Sequence, residues 1–530
     1  MLRIVSSLAT VLLVTVAAHS QGTARLEEVV KIETGALQGM PRNAQGVLVF
    51  KGIPYAAEPI GQLRWQAPQP ARSWDGVRDA TRVGNRCLYN VPETGLGGRV
   101  AEVPQKEDCL YLNVWTSAQS SDERRPVMVW IHGGGFQFGT GSDPRTDGAL
   151  LAQKGVILVS LNYRLGVFGF FAHPQLRSEG RLSGNFGIHD QIAALKWVQA
   201  NIAKFGGDPG NVTIFGESSG SQAVSILMGS PLAKGLFQRA IGQSGSSLQD
   251  LPGVEEIGLR GAAYAGALGA KSIEELRAMP TDRINTAAAW DFAGGAPIIF
   301  APGIDGYLLP SQLAEVFQKG QQNDVPLLAG YNKREDFPFL AEALPHGSSA
   351  EFRAAGLHVF GQAKMQEFLL LYPSDTAALA KESAGELLGD IRQRAETWRW
   401  LSLHSQTGKS AVYGYKFSYE SPYSPVASHA GDVPFVFGNL VPQFFAPRAP
   451  PAGPEDRQLA NEIMSYWVNF ASKGNPNGAD LPPWPEFRAK GSLLQIQEDG
   501  RIASNPPSDL QIARFKFLDG FLISASMGQR

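Results

Sequence analysis

Gly216-Glu217-Ser218-Ser219-Gly220 sets a serine between two glycines, directly after the apolar run Val212-Thr213-Ile214-Phe215. Gln222 to Met228 then reads as a helix. In a strand–turn–helix setting, Gly-x-Ser-x-Gly holds its serine on a strained turn, and the glycines let strand and helix approach closely. The helix N-terminus behind the hydroxyl favours negative charge nearby. Ser218 is therefore a candidate nucleophile. With 59 glycines in 530 residues, such a pattern also arises by chance, so its chemical partners have to be found.

Acyl transfer at serine needs a base, a group that orients the base, and donors for the developing oxyanion. The buried-strand pattern Pro126 to Ile131 breaks at His132-Gly133-Gly134-Gly135. A glycine run there can turn backbone N–H groups toward a ligand, and the N–H of Ser219 would complete an oxyanion hole. In chain order the acid and then the histidine should follow the serine. Of eight histidines, His346, His358, His404 and His429 lie far enough beyond Ser218. His404 falls in a helical stretch, His346 and His358 in the middle segment, and His429 in a loop after a strand; position favours His429. The strand-like Val325 to Gly330 leads to Lys333-Arg334-Glu335-Asp336, so Glu335 and Asp336 are both candidate acids, and pattern does not separate them.

These residues need a scaffold. Strand patterns fall at 29–34, 47–50, 52–56, 110–115, 126–131, 156–161, 212–215, 325–330 and 412–417, with a helix from His189 to Phe205 in which Ile192, Leu195, Val198 and Ile202 recur at helical spacing. The stretch 253–400 is richer in helical pattern. Strands alternating with helices imply an α/β fold, a mostly parallel sheet covered on both faces. No Pro/Ser-rich linker divides the chain, so residues 21–530 are expected to form one catalytic unit with insertions. Residues 1–20 read as a secretory signal peptide: a basic start at Arg3, an apolar core from Ile4 to Ala18, and small residues before Gln21. No later stretch is long and apolar enough to span a membrane. Hydrophobic content of 43% suffices for a large core, and a net charge of -2 offers no field for nucleic acid. Cys87 and Cys109, the only cysteines, have one possible pairing, and export would favour it. The Asn211-Val212-Thr213 sequon lies before the elbow and is read as structural.

In ordered segments the chain resembles a type-B carboxylesterase, the cholinesterase-like branch of the α/β-hydrolases, related to para-nitrobenzyl esterases. The segments are Phe50-Lys51-Gly52-Ile53-Pro54-Tyr55-Ala56, Glu107-Asp108-Cys109-Leu110-Tyr111-Leu112-Asn113, Trp130 to Phe136, Asn162-Tyr163-Arg164-Leu165-Gly166, Phe205-Gly206-Gly207-Asp208-Pro209, the Ser218 elbow, Ile304-Asp305-Gly306, His429 to Gly438, and Asn469-Phe470-Ala471. The resemblance implies a Ser218-Glu335-His429 triad, oxyanion donors at Gly134, Gly135 and Ser219, supporting positions at Glu217 and Ser244, and a Cys87–Cys109 disulfide. It implies hydrolysis of small-molecule carboxylic esters through an acyl-enzyme, with no cofactor or metal, and the signal segment implies a secreted or periplasmic protein.

Three departures stand out. The family usually has Ala where Ser219 stands; the backbone N–H is unchanged, so little effect is expected. The acid is usually followed by Gly, whereas Asp336 follows Glu335. The Cys87–Cys109 loop has no Trp to bind quaternary ammonium, so a choline ester is not the expected substrate. Ala296 and Ile298, in place of bulky aromatics, suggest a roomier acyl pocket. The rival readings are a non-catalytic adhesion protein of the same fold, which an intact triad argues against, and a lipase or a hydrolase of polyesters or aromatic diesters.

Overall fold

A computed structural model describes residues 25–90, 103–178, 184–288, 300–335, 348–442, 446–489 and 491–525. The signal segment 1–20, His346, Asp336, Ala296 and Ile298 lie outside them. A ten-stranded sheet is built from β1 (Leu48–Pro54), β2 (Tyr111–Thr116), β3 (Arg125–Ile131), β4 (Ile157–Leu161), β5 (Gly207–Glu217), β6 (Arg239–Gln243), β7 (Leu327–Asn332), β8 (Val412–Phe417), β9 (Leu493–Ile496) and β10 (Ile502–Asn505). Across the sheet they run β1-β2-β4-β3-β5-β6-β7-β8-β9-β10. From β4 to β9 every neighbouring pair is parallel, and β1, β2 and β10 add antiparallel edges.

The central strands are apolar on both faces because both faces are covered. In β3, Val127, Val129 and Ile131 enter one core while Met128 and Trp130 enter the other. Helices α1 (Phe186–Asn201), α2 (Ser219–Gly229) and α3 (Ala395–Thr407) cover the first face, through residues such as Leu195, Val198, Val224, Leu227 and Trp400. Helix α4 (Pro454–Lys473) covers the second, through Leu459, Ile463, Trp467 and Phe470. Shorter helices between 254 and 287 and between 349 and 389 form helical insertions, as the pattern of that region implied. No helix of the described residues is long and apolar enough to cross a membrane.

The structure amends the sequence reading in places. The patterns at 47–50 and 52–56 are one strand, β1, interrupted in its pairing between Phe50 and Ile53. Helix α1 starts at Phe186, and its last expected turn, 202–205, tightens into a 3₁₀ turn. Strands β6, β9 and β10 were not read at all. Cys87 and Cys109 are joined by a disulfide. Asn211 lies within β5, where its side chain bonds Arg239 and the Ser472 carbonyl, which fits a structural role.

Candidate active site

The parallel strands end side by side, and each end contributes a group. β3 and β5 are parallel neighbours whose following strands, β4 and β6, lie on opposite sides of the pair, so a crevice opens at their carboxyl ends. There β3 runs into His132 to Phe136 and β5 into Ser218. Ser218 takes φ 56° and ψ -124°, a conformation that side chains avoid, at the N-terminus of α2. Its amide is held by the Gln243 carbonyl at 2.8 Å. Gly216 and Gly220 make this turn possible. A Cβ on Gly220 would lie 2.1 Å from the Ile131 carbonyl oxygen, and one on Gly216 2.7 Å from the same atom.

The oxyanion loop is glycine-built for the same reason. A Cβ on Gly133 would lie 2.8 Å from Glu217 Oε2 and 3.1 Å from Ser218 Cβ, and one on Gly134 2.0 Å from the Phe138 carbonyl oxygen. Gly134 and Gly135 adopt φ of 112° and 61°. Among the described residues, the N–H groups of Gly134, Gly135 and Ser219 make no hydrogen bond. They are thus available to an incoming oxyanion, and the N-terminus of α2 adds its partial positive charge. His132, at the head of the loop, is buried, and burial pushes its imidazole down to about 4, outweighing its bond to the Gly133 carbonyl. It is neutral and stacks on Tyr163.

The acid and the base meet across β7 and β8. Glu335, fully buried three residues past β7, accepts from the Asn332 amide at 2.6 Å and from the Ser244 hydroxyl at 2.7 Å on Oε1. Its other oxygen, Oε2, accepts the Nδ1–H of His429 at 2.6 Å. The His429 loop is fastened to the acid loop by the Arg334 amide, which donates to the Ala427 carbonyl. His429 is buried, yet two carboxylates outweigh that burial and push its imidazole up to about 10. One is Glu335. The other is Glu217, whose Oε1 lies 3.0 Å from Nε2. Glu217 thus acts on the ring by its charge and by this close contact. With the Nδ1 proton directed to Glu335, Nε2 is the nitrogen through which the ring can exchange a proton with a reacting group.

The structure thus brings together Ser218, Glu335, His429, Gly134, Gly135, Ser219, Glu217 and Ser244. Among the described residues, the candidate histidines His404 and His358 lie elsewhere. His404 is packed inside α3, with Nε2 2.9 Å from the Val325 carbonyl, and His358 is exposed on the helix Ser349–Phe360. A supporting residue that pattern reading did not single out is Asp432. It is buried and accepts from Tyr415 Oη at 2.6 Å, Gln243 Nε2 at 2.9 Å and Asn332 Nδ2 at 3.3 Å. It thereby ties the His429 loop to the ends of β6, β7 and β8. Burial pushes its carboxyl up to about 6, against the bonds from Tyr415 and Gln243. An acidic residue one turn after the loop histidine was the available signal.

Residues 26–513 match the model of the carboxylesterase family. The chain is 36% identical over 471 residues to a fumonisin B1 esterase of Sphingopyxis macrogoltabida, covering 87% of this chain and 85% of that one. It is 35% identical over 497 residues to the para-nitrobenzyl esterase of Bacillus subtilis, covering 91% and 97%. A solved structure of a PNB esterase superposes with a TM-score of 0.80 at 34% identity, covering 92% of this chain and 99% of that one. The sheet, its helical layers and these likenesses identify the α/β-hydrolase fold. The chain belongs to the carboxylesterase family and is a serine hydrolase of carboxylic esters.

Proposed function

We propose that Ser218 is the nucleophile, His429 the general base and Glu335 the residue that orients it, with the N–H groups of Gly134, Gly135 and Ser219 receiving the oxyanion. The observation that carries this reading is the 2.6 Å bond from His429 Nδ1 to Glu335 Oε2, at the same sheet end that holds Ser218 at φ 56°. Ser218 Oγ attacks the ester carbonyl as Nε2 of His429 takes its proton. The imidazolium so formed is stabilised by Glu335 and Glu217, and the oxyanion by the three amides. The C–O bond to the alcohol breaks as Nε2 returns the proton to the leaving oxygen, which leaves an acyl group on Ser218. Water then gives a proton to Nε2 and attacks the acyl carbon, and collapse releases the acid and restores Ser218. None of these steps calls for a cofactor.

The proposal extends to the whole chain. Residues 1–20 are removed on export, and 21–530 act as one catalytic unit on small-molecule esters, in the periplasm or outside the cell. A disulfide at Cys87–Cys109 suits such an oxidising compartment. The direct test is Ser218→Ala. Its kcat on p-nitrophenyl butyrate should fall by a factor of roughly 10⁴ or more, with folding unchanged by circular dichroism. Retention of more than trace activity would overturn the assignment.

A further inference from the structure

We propose that the hydroxyl of Ser219, and not only its backbone N–H, is a positioning element of the reaction: it locks the oxyanion loop onto the nucleophile elbow. The inference rests on the roles given above to Ser218 and to the three amides.

The Ser219 Oγ accepts a hydrogen bond from the Phe136 amide at 3.1 Å. Both residues are buried. Phe136 directly follows the glycine run and continues its left-handed course at φ 61°, after Gly135 at the same value. Glycine adopts that conformation freely; phenylalanine does not. Something must hold Phe136 there. The loop's own turn does not use its N–H, because the Gly134 carbonyl takes the amides of Gln137 and Phe138 instead. The carbonyl of Phe136 accepts the Gly166 amide at 2.8 Å, and its ring meets Phe170 edge-on. The remaining handle, the N–H, is the one that Ser219 takes.

The loop is thus held at three points. Tyr163 Oη donates to the His132 carbonyl at 2.9 Å at its head, Gly166 holds its tail, and Ser219 holds it directly beside the elbow. Among the described residues the last bond runs directly from the elbow to the loop, and the same hydroxyl also meets Tyr163, which holds the loop's head. That bond couples the amide of Ser219 to those of Gly134 and Gly135, whose placement matters most when charge develops on the carbonyl oxygen. An alanine at 219 keeps the amide but leaves a buried Phe136 N–H without a partner and lets the loop shift relative to Ser218. The proposal thus runs against the expectation that this departure from the family pattern has little effect.

A merely structural serine and a positioning serine differ in what their loss does. The test compares the parent, Ser219→Ala and Ser219→Thr for kcat and KM on p-nitrophenyl butyrate, for melting temperature, and for affinity toward a trifluoromethyl ketone that forms a tetrahedral oxyanion on Ser218. We expect Ser219→Ala to lower kcat about tenfold with KM within about twofold, and to weaken the ketone by a similar factor. Ser219→Thr, which keeps the hydroxyl, should recover most of both losses. Ser219→Cys, a weaker acceptor of the same shape, takes the place of either variant that does not fold and should fall between alanine and parent. The proposal is overturned if the alanine variant keeps kcat and ketone affinity within about twofold of the parent, whatever its melting temperature, or if its loss appears in KM alone. Parental activity in Ser219→Ala beside an inactive Ser218→Ala would remove this inference and leave the triad standing, whereas an active Ser218→Ala would remove both.

Discussion

Replacing Glu217 with glutamine removes one of the two negative charges beside His429 and leaves its bond to Glu335 intact. Glu217 Oε1 lies 3.0 Å from Nε2 and raises the ring by its charge and by this close contact; glutamine is of the same shape, so charge is the main thing the substitution removes. Unit charges about 4 Å apart interact by roughly 4 kcal/mol at an effective dielectric near 20. At about 1.4 kcal/mol per pKa unit, that is an upper bound of roughly 3 units. The Arg145 guanidinium, which faces Glu217, offsets part of this field, and Glu335 remains to hold the ring charged. We expect a fall of roughly one to two units. The sign follows from the role. His429, raised from 6.5 to about 10, is protonated and cannot act as a base at low pH, so activity rises with pH through its pKa. Lowering that pKa moves the acid limb of kcat/KM to lower pH. The plateau should fall, because the imidazolium of the transition state loses one of its two carboxylates. The assay is kcat/KM on p-nitrophenyl butyrate from about pH 5 to about pH 10 for both proteins. An acid limb that stays in place or moves upward in Glu217→Gln would refute the reasoning.

Other outcomes follow from the same geometry. Gly220→Ala puts a Cβ 2.1 Å from a backbone oxygen, so the elbow must shift; kcat should fall by roughly 100-fold or more, and the melting temperature with it. Asp432→Ala leaves the Tyr415 hydroxyl and the Gln243 amide as buried donors without their acceptor; urea unfolding should show a loss of about 3 kcal/mol, and kcat should fall because the His429 loop loosens. Replacing Cys87 and Cys109 together with serine should cost about 3 kcal/mol by loop-closure entropy, measured by the same unfolding curves, with kcat within about twofold of the parent because neither cysteine touches the triad.

Strands β1 to β5, β7 and β8 were legible in the sequence, and those with an unbroken apolar pattern, β3, β4 and β5, include the strands beneath the nucleophile and the oxyanion loop. Strand β6 was missed because Arg239-Ala240-Ile241-Gly242-Gln243 is short and carries a glycine, which pattern reading takes as a break. The structure supplies the reason for that glycine: a Cβ on Gly242 would lie 2.3 Å from the Trp400 ring of α3. The tail strands β9 and β10 are four residues each, β9 pairing with β8 and β10 with β9 at the sheet edge, and those contacts rather than their own pattern set them. At the site, Ser218 and the glycine loop were local signals and could be read directly. His429 and Glu335 were not, since only folding makes them neighbours; the family likeness supplied that pairing. What sequence could not supply was the direction of side chains. The Ser219 hydroxyl turns back onto Phe136, Glu217 faces the imidazole, and Asp432 gathers three strand ends, all through contacts between residues distant along the chain.

The central claim is that ester hydrolysis runs through an acyl group on Ser218, and covalent mapping tests it most directly. The protein is treated with an activated aryl phosphonate, and the adduct is located by peptide mass spectrometry. The account predicts a single stoichiometric adduct on Ser218, formed in step with the loss of activity, and none in Ser218→Ala. An inactivated enzyme whose label sits on another residue would contradict it.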